Sequence, residues 1–267
     1  MLIQEKPRRS LPTADDVEAA STRIADEVIT TPLHLSDRLS TATGAQVYLK
    51  REDLQSVRSY KIRGAFNFLL QLSEAERKRG VVCASAGNHA QGLARACAAL
   101  GVSGTIFVPK TTPRQKIERI RHFGGRRVEV VIEGSTYDDA SDLAKRHAQV
   151  TNALVVSAFD DPLTIAGQGT IAQEIHAQLD EDPDVIVVPV GGGGLLAGGL
   201  AAFWLTTTVV LPALNSDGVW AYAQDSILSV LLDDPGHAVN VLLAGAGTTG
   251  RRRCGWRPQC WSRRTWA

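Results

Sequence analysis

The chain has 267 residues, 44% of them hydrophobic and 21% charged, which suits one large or two modest globular domains with a sizeable core. A formal net charge of +1 gives no reason to expect nucleic acid or an anionic membrane as a partner. No apolar run approaches the ~20 residues of a membrane span and residues 1–10 lack the apolar region of a secretory signal, so the default location is the cytoplasm.

Residues 1–12 read as loosely attached. Thr13, with Asp16 three residues on, marks a helix N-terminus, and Val17, Ala20, Ile24 and Val28 give a stripe at helical spacing over 17–28. Thr31-Pro32-Leu33 opens an extended segment, and 45–50 reads as a short strand. From 55 to about 150 strands alternate with helices: strands at 81–85, 105–108 and 128–132, helices at 60–72, 89–100, 113–123 and 137–148. Thr112-Pro113 supplies a cap followed by proline at the first helical position, and Gly101 and Gly124 stand at helix ends. From 151 the pattern repeats, with strand 154–157, helix 162–179, strand 185–190 and a helix from 195 to about 205. Such alternation predicts an α/β protein with open parallel sheets. Cys83, Cys97, Cys254 and Cys260 have no metal-ligand spacing, so no metal is expected; Cys83 and Cys97 fall on predicted buried faces and read as reduced core residues.

Three stretches carry chemistry. In Ser59-Tyr60-Lys61-Ile62-Arg63-Gly64-Ala65-Phe66-Asn67 a lysine lies in the first turn of an amphipathic helix, with Ser59 as N-cap. The positive helix end and burial both disfavour its ammonium form, and a neutral amine is what Schiff-base chemistry needs. Ser85-Ala86-Gly87-Asn88-His89-Ala90-Gln91-Gly92 follows one predicted strand, and Gly191-Gly192-Gly193-Gly194-Leu195 follows another. Turns of small residues between a strand and a helix let backbone N–H groups converge on an anion. A lone lysine would be an ordinary surface residue; a lysine, a polar turn and a separate phosphate cup together describe a pyridoxal phosphate site.

These motifs, with Lys50-Arg51-Glu52-Asp53-Leu54 and Gly167-Gln168-Gly169-Thr170, stand in the order and spacing of the threonine dehydratases, which the chain resembles from about Thr31 to about Ala202. The resemblance implies the tryptophan-synthase-β-like (fold type II) pyridoxal phosphate fold, with two open parallel-sheet αβα domains. Residues 1–54 and 151–205 would form the large cofactor domain, incomplete at its C-terminus, and 55–150 a small domain inserted into it. It implies further that Lys61 carries the cofactor and removes the substrate α-proton, that Asn88 hydrogen-bonds the cofactor's 3′-oxygen, and that Gly191, Gly192, Gly193, Gly194 and Leu195 hold its phosphate. The Ser85, Ala86, Gly87 and His89 turn would receive the carboxylate of a small amino-acid substrate. L-Threonine would give 2-oxobutanoate and ammonia, at the entry to isoleucine synthesis, and an intact protein would be a homo-oligomer.

Residue by residue, plainer roles compete. His89 reads first as a packing or capping residue, Arg63 as an internal ion pair, Glu52 and Asp53 as loop-ordering groups, and Gly167 and Gly169 as close-packing positions. Serine racemases of this pattern carry a second serine where this chain has Ala86, which favours the dehydratase over a racemase. Residues 206–267 hold four of the five tryptophans and six arginines between Arg251 and Arg264, with neither helical nor strand period. They read as an atypical, out-of-frame or degenerate tail lacking the family's later turn for the pyridine nitrogen. An inactive fragment or pseudoenzyme, or a serine racemase or serine dehydratase, is the alternative.

Overall fold

A computed structural model of the chain describes residues 11–202 and 208–210. The expectations for residues 1–10, and for the tail other than 208–210, lie outside the described residues.

Helix α1 (Ala14–Ile24) begins at the expected capping box: the Asp16 N–H donates to Thr13 Oγ1 while the Thr13 N–H donates to Asp16 Oδ2. Its buried residues, Val17, Ala20 and Ile24, fall at spacings of three and four, so one stripe faces inward. Strands β1 (Leu33–Leu35) and β2 (Tyr48–Lys50) form an antiparallel ribbon. Between them lies α2 (Asp37–Thr43), which the sequence reading missed although Ser36 caps its start and Gly44 ends it in the left-handed region.

Helix α3 (Lys61–Leu69) is the centre of the molecule. Every residue from Ile62 to Leu69 is buried, because α3 lies between two other helices and has no wet face. Short helix α4 (Glu74–Arg79) follows, also unpredicted, with a Ser73–Glu76 capping box that the sequence carries openly.

A four-stranded parallel sheet then forms from β3 (Val81–Ala84), β4 (Gly104–Val108), β5 (Val128–Ile132) and β6 (Leu154–Val155), in the order β5-β4-β3-β6. Helices α5 (Asn88–Leu100), α6 (Arg114–Gly124) and α7 (Tyr137–Thr151) make the crossovers. The period of two decides which face each strand residue serves. Val81, Cys83, Ile106 and Val108 enter the core shared with α3, α5 and α6, while Val82 and Phe107 pack against Ala140 and Ala144 of α7. Cys83 and Cys97 are buried and free, and burial pushes both thiols up, Cys97 to about 12. Two expectations shift here. Pro113 is the cap of α6 and not its first helical residue. Strand β6, expected to open the second block, pairs with β3 through Val81↔Leu154, so the sheet takes its fourth strand from beyond residue 151.

Helix α8 (Pro162–Gln178) starts from an Asp161 cap with proline at its first turn, and it packs on α1, on α3 and on α9 (Gly194–Ala202). The α3–α8 approach is set by two glycines: a Cβ on Gly167 would lie 2.7 Å from Gly64 Cα and 2.8 Å from the Arg63 carbonyl oxygen. This is the packing role expected for Gly167-Gln168-Gly169. A parallel pair, β7 (Val185–Val187) with β8 (Thr208–Val210), flanks α9 in sequence. Residues 208–210 of the supposed tail thus join a sheet, which lack of pattern did not foretell.

A buried ion network ties these pieces together beside α3. The Arg63 guanidinium is buried and bridges Glu52 (2.7 and 2.9 Å) and Glu174 (2.6 and 3.0 Å), with a further bond to Thr170 Oγ1. Lys50 Nζ reaches Glu174 at 2.6 Å and the Thr31 carbonyl at 2.6 Å. Paired and fully hydrogen-bonded, these charges can remain inside. Arg63 and Glu52 are therefore internal partners, whereas Asp53 pairs with Arg51 at the surface.

Candidate active site

Helix α3 starts one residue later than a Ser59 N-cap would set it, so Lys61 is its first residue and not its second; Tyr60 stands at the cap in helical conformation. Ser59 still contributes, because its Oγ accepts the Lys61 N–H at 3.2 Å. The Lys61 amine turns inward, donates to the Ala158 carbonyl at 2.6 Å and lies 5.2 Å from the centre of the Tyr60 ring. Burial lowers its pKa from 10.5 to about 8. Burial is the operative cause, where the sequence had invoked the helix end as well.

The turn after β3 lies beside it. Ser85, Ala86 and Gly87 are half-buried, and the Gly87 N–H donates to Ser85 Oγ at 3.2 Å. Asn88 is the exposed first residue of α5. Helix α5 comes close to α3 at Gly92, where a Cβ would stand 3.0 Å from the Lys61 carbonyl carbon. His89 is buried, and its Nε2 lies 3.0 Å from the Val156 carbonyl oxygen. A carbonyl can only accept, so Nε2 carries the hydrogen and Nδ1 is a bare acceptor with no partner. Burial first, then the charge of Lys61, pushes the imidazole down to about 4, so it stays neutral at physiological pH.

The glycine turn closes the other side. Gly193 has a φ of 81°, which favours glycine, and the Ala197 N–H donates to its carbonyl at 2.9 Å. A Cβ on Gly192 would overlap the Phe159 ring, and one on Gly194 would lie 2.7 Å from the Phe159 carbonyl oxygen. At Gly191, which is exposed, a Cβ would meet nothing within 4 Å. Gly194 is the first residue of α9, and Leu195, half-buried, is the second.

Lys61 and the glycine turn thus meet on adjacent residues, Ala158 for the amine and Phe159 for the turn, whose Cα atoms are ~3.8 Å apart. The sequence reading missed both. Ala158 acts through its carbonyl, which any residue has, and Phe159 acts through a contact 33 positions away. A half-buried primary amine with a lowered pKa, a glycine turn open on one side at a helix start, and an unpartnered imidazole acceptor fit an aldehyde cofactor with a phosphate arm. Among the described residues no group of His, Cys, Asp or Glu could hold a metal ion.

The fold and this site define a cofactor-dependent enzyme of the α/β class, and the family profile agrees: that of the pyridoxal-phosphate dependent enzymes matches residues 24–246, and the chain belongs to that family. The match runs past Ala202, where the motif pattern fades. The chain is 58% identical over 176 residues to the biosynthetic L-threonine dehydratase IlvA of Mycobacterium tuberculosis, covering 66% of this chain and 41% of that protein. It therefore spans less than half the length of that curated relative. Among solved structures, threonine deaminase isoform 2 of Solanum lycopersicum superposes with a TM-score of 0.68 and 39% identity, over 79% of this chain and 61% of that one. Maize serine racemase gives a TM-score of 0.74 at 28% identity, over 88% and 68%.

Proposed function

We propose that the chain carries the catalytic lysine and cofactor cup of a threonine dehydratase, an ammonia-lyase that turns L-threonine into 2-oxobutanoate and ammonia on the route to isoleucine. The observation that carries this reading is the Lys61 amine, half-buried, lowered to about 8 and bonded to the carbonyl of Ala158, whose chain neighbour Phe159 abuts the glycine turn.

Pyridoxal phosphate, when bound, supplies an electron sink for the negative charge left at the substrate Cα. The chain supplies the rest. Gly191, Gly192, Gly193, Gly194 and Leu195 would hold the phosphate through backbone N–H groups and the start of α9. Asn88 would bond the 3′-oxygen. The backbone N–H groups of Ser85, Ala86, Gly87 and His89, at the start of α5, would orient the substrate carboxylate. Lys61 Nζ would take the α-proton, which a primary amine with a pKa near 8 can accept and return near neutral pH. Loss of the β-hydroxyl as water, then hydrolysis of the enamine, gives the 2-oxoacid and ammonia. His89 stays neutral beside Lys61, so it adds no second positive charge to oppose the proton's arrival.

The backbone resembles a serine racemase as well as a deaminase, so the fold does not choose between them. Ala86 favours elimination: it has no hydroxyl to deliver a proton to the opposite face. The two-domain division, with 55–150 inserted in a large domain, belongs to the same reading, as do a homo-oligomeric state and a cytoplasmic location. Among the described residues no helix is long and apolar enough to cross a membrane.

The test is an assay of the purified chain with pyridoxal phosphate, L-threonine and L-serine. The reading predicts 2-oxobutanoate from L-threonine. Racemisation of L-serine faster than deamination of L-threonine would overturn it, and cofactor binding with no turnover would mark the chain as an inactive member.

A further inference from the structure

The segment between β6 and α8 makes four contacts with the site, and nothing in the sequence singled it out. The Val156 carbonyl accepts from His89, the Ala158 carbonyl accepts from Lys61, the Phe159 ring covers Gly192, and the Phe159 backbone abuts Gly194. Both ends of the segment are fixed. The Val156 N–H donates to the Val82 carbonyl of β3 at 2.9 Å, and Asp161 caps α8 by accepting the Leu163 N–H at 2.9 Å. Within it, Ser157 Oγ accepts the Asp160 N–H at 2.9 Å and the Phe159 N–H at 3.4 Å, closing a tight turn. It is thus a short spacer, held at both ends, between the edge strand of the sheet and the helix that packs on α3.

We infer that Phe159 is the positioning residue of the phosphate cup: its ring and backbone form the floor on which Gly192 and Gly194 rest, and they fix the glycine turn's distance from Lys61. This deepens the pyridoxal phosphate reading and rests on it. Gly192 has to be glycine because the ring occupies the place of its Cβ, and Gly194 because the Phe159 carbonyl occupies the place of its own. Gly191, by contrast, has open space where its Cβ would be. The turn is therefore packed on one side and open on the other, and the packed side is one residue deep. Removing the ring frees the turn to sag away from Lys61, and an aldehyde and a phosphate on one rigid molecule can no longer meet both partners at once. A displacement of about 1 Å at such a site costs up to roughly 100-fold in a positioned interaction.

A merely structural role for Phe159 would weaken every ligand of the site alike, so the discriminating measurement compares two aldehydes. The full chain and its Phe159→Ala variant are titrated with pyridoxal phosphate and with pyridoxal, which lacks the phosphate, and the visible absorption is followed. The ratio, the dissociation constant for pyridoxal divided by that for pyridoxal phosphate, reports what the cup contributes. It should fall by about tenfold or more in Phe159→Ala, an effect of the size expected for a loosened turn. Phe159→Tyr, which keeps the ring, should retain the ratio, and Phe159→Leu, which keeps apolar bulk should the alanine variant fail to fold, should give an intermediate fall. An unchanged ratio in Phe159→Ala or Phe159→Leu, with the unsubstituted chain preferring the phosphate form, would overturn the inference alone. If the unsubstituted chain binds neither aldehyde, the cofactor reading fails and the inference with it.

Discussion

Raising the pH across the titration of Lys61 should reveal how strongly the site has prepared its amine. Only the neutral form attacks an aldehyde. With a pKa of about 8, roughly one lysine in ten is neutral at pH 7; with the ordinary 10.5, roughly one in three thousand is. The buried site therefore offers about 300-fold more reactive amine at pH 7 than an exposed lysine would. Stopped-flow mixing of the cofactor-free chain with pyridoxal phosphate reads this directly. The capture rate should climb about tenfold per pH unit below 8 and level off above it, while free lysine continues to gain towards 10.5. The same shift sets a sign for stability. The folded pKa lies below the unfolded one, so between about 8 and 10.5 the unfolded chain binds more protons. The stability of the cofactor-free chain should then rise with pH across that window, and Lys61→Met should abolish this part of the rise. A capture rate that keeps increasing through pH 10 would refute the claim that burial has lowered the amine's pKa.

Gly192→Asp should lower pyridoxal phosphate affinity by about 100-fold or more, because a carboxylate would face the phosphate while its Cβ displaces Phe159; equal affinity in a titration would remove the glycine turn from the site. Arg63→Met should cost ~3–5 kcal/mol in denaturant unfolding, since Glu52 and Glu174 lose their shared buried partner; a loss below about 1 kcal/mol would place the network among weak surface pairs. Ala86→Ser should bring a low L-serine racemase activity that the unsubstituted chain lacks, checked by chiral separation of the product; unchanged stereochemistry would show that a hydroxyl at 86 reaches no proton.

Much of the fold was legible because local signals and burial agreed. Thr13 with Asp16, and the short apolar run Val81-Val82-Cys83, declare α1 and β3 without help from the rest of the chain. Helices α2 and α4 were missed for a different reason: at 7 and 6 residues they bury no side chain, so they lack an apolar stripe and show only their caps. Strand β6 was expected to open the second block, yet it pairs with β3, since pairing partners are chosen by crossover geometry and not by the two residues themselves. Of the candidate site, Lys61 and both turns were proposed from their residue types. The Ala158 carbonyl and the Phe159 floor were not, because one is backbone chemistry and the other a contact across 33 positions. Gly167 could be read as a close-packing residue, yet only the structure shows that its partner is Gly64.

The central claim is that Lys61 is the residue that takes the cofactor. The chain is mixed with pyridoxal phosphate, reduced with borohydride, digested, and the pyridoxyl-bearing peptide is identified by mass spectrometry. The account predicts a single label on Lys61, in the peptide that begins after Arg58, and no label there in Lys61→Ala. A label on another lysine, or a borohydride-reducible adduct persisting in Lys61→Ala, would contradict it.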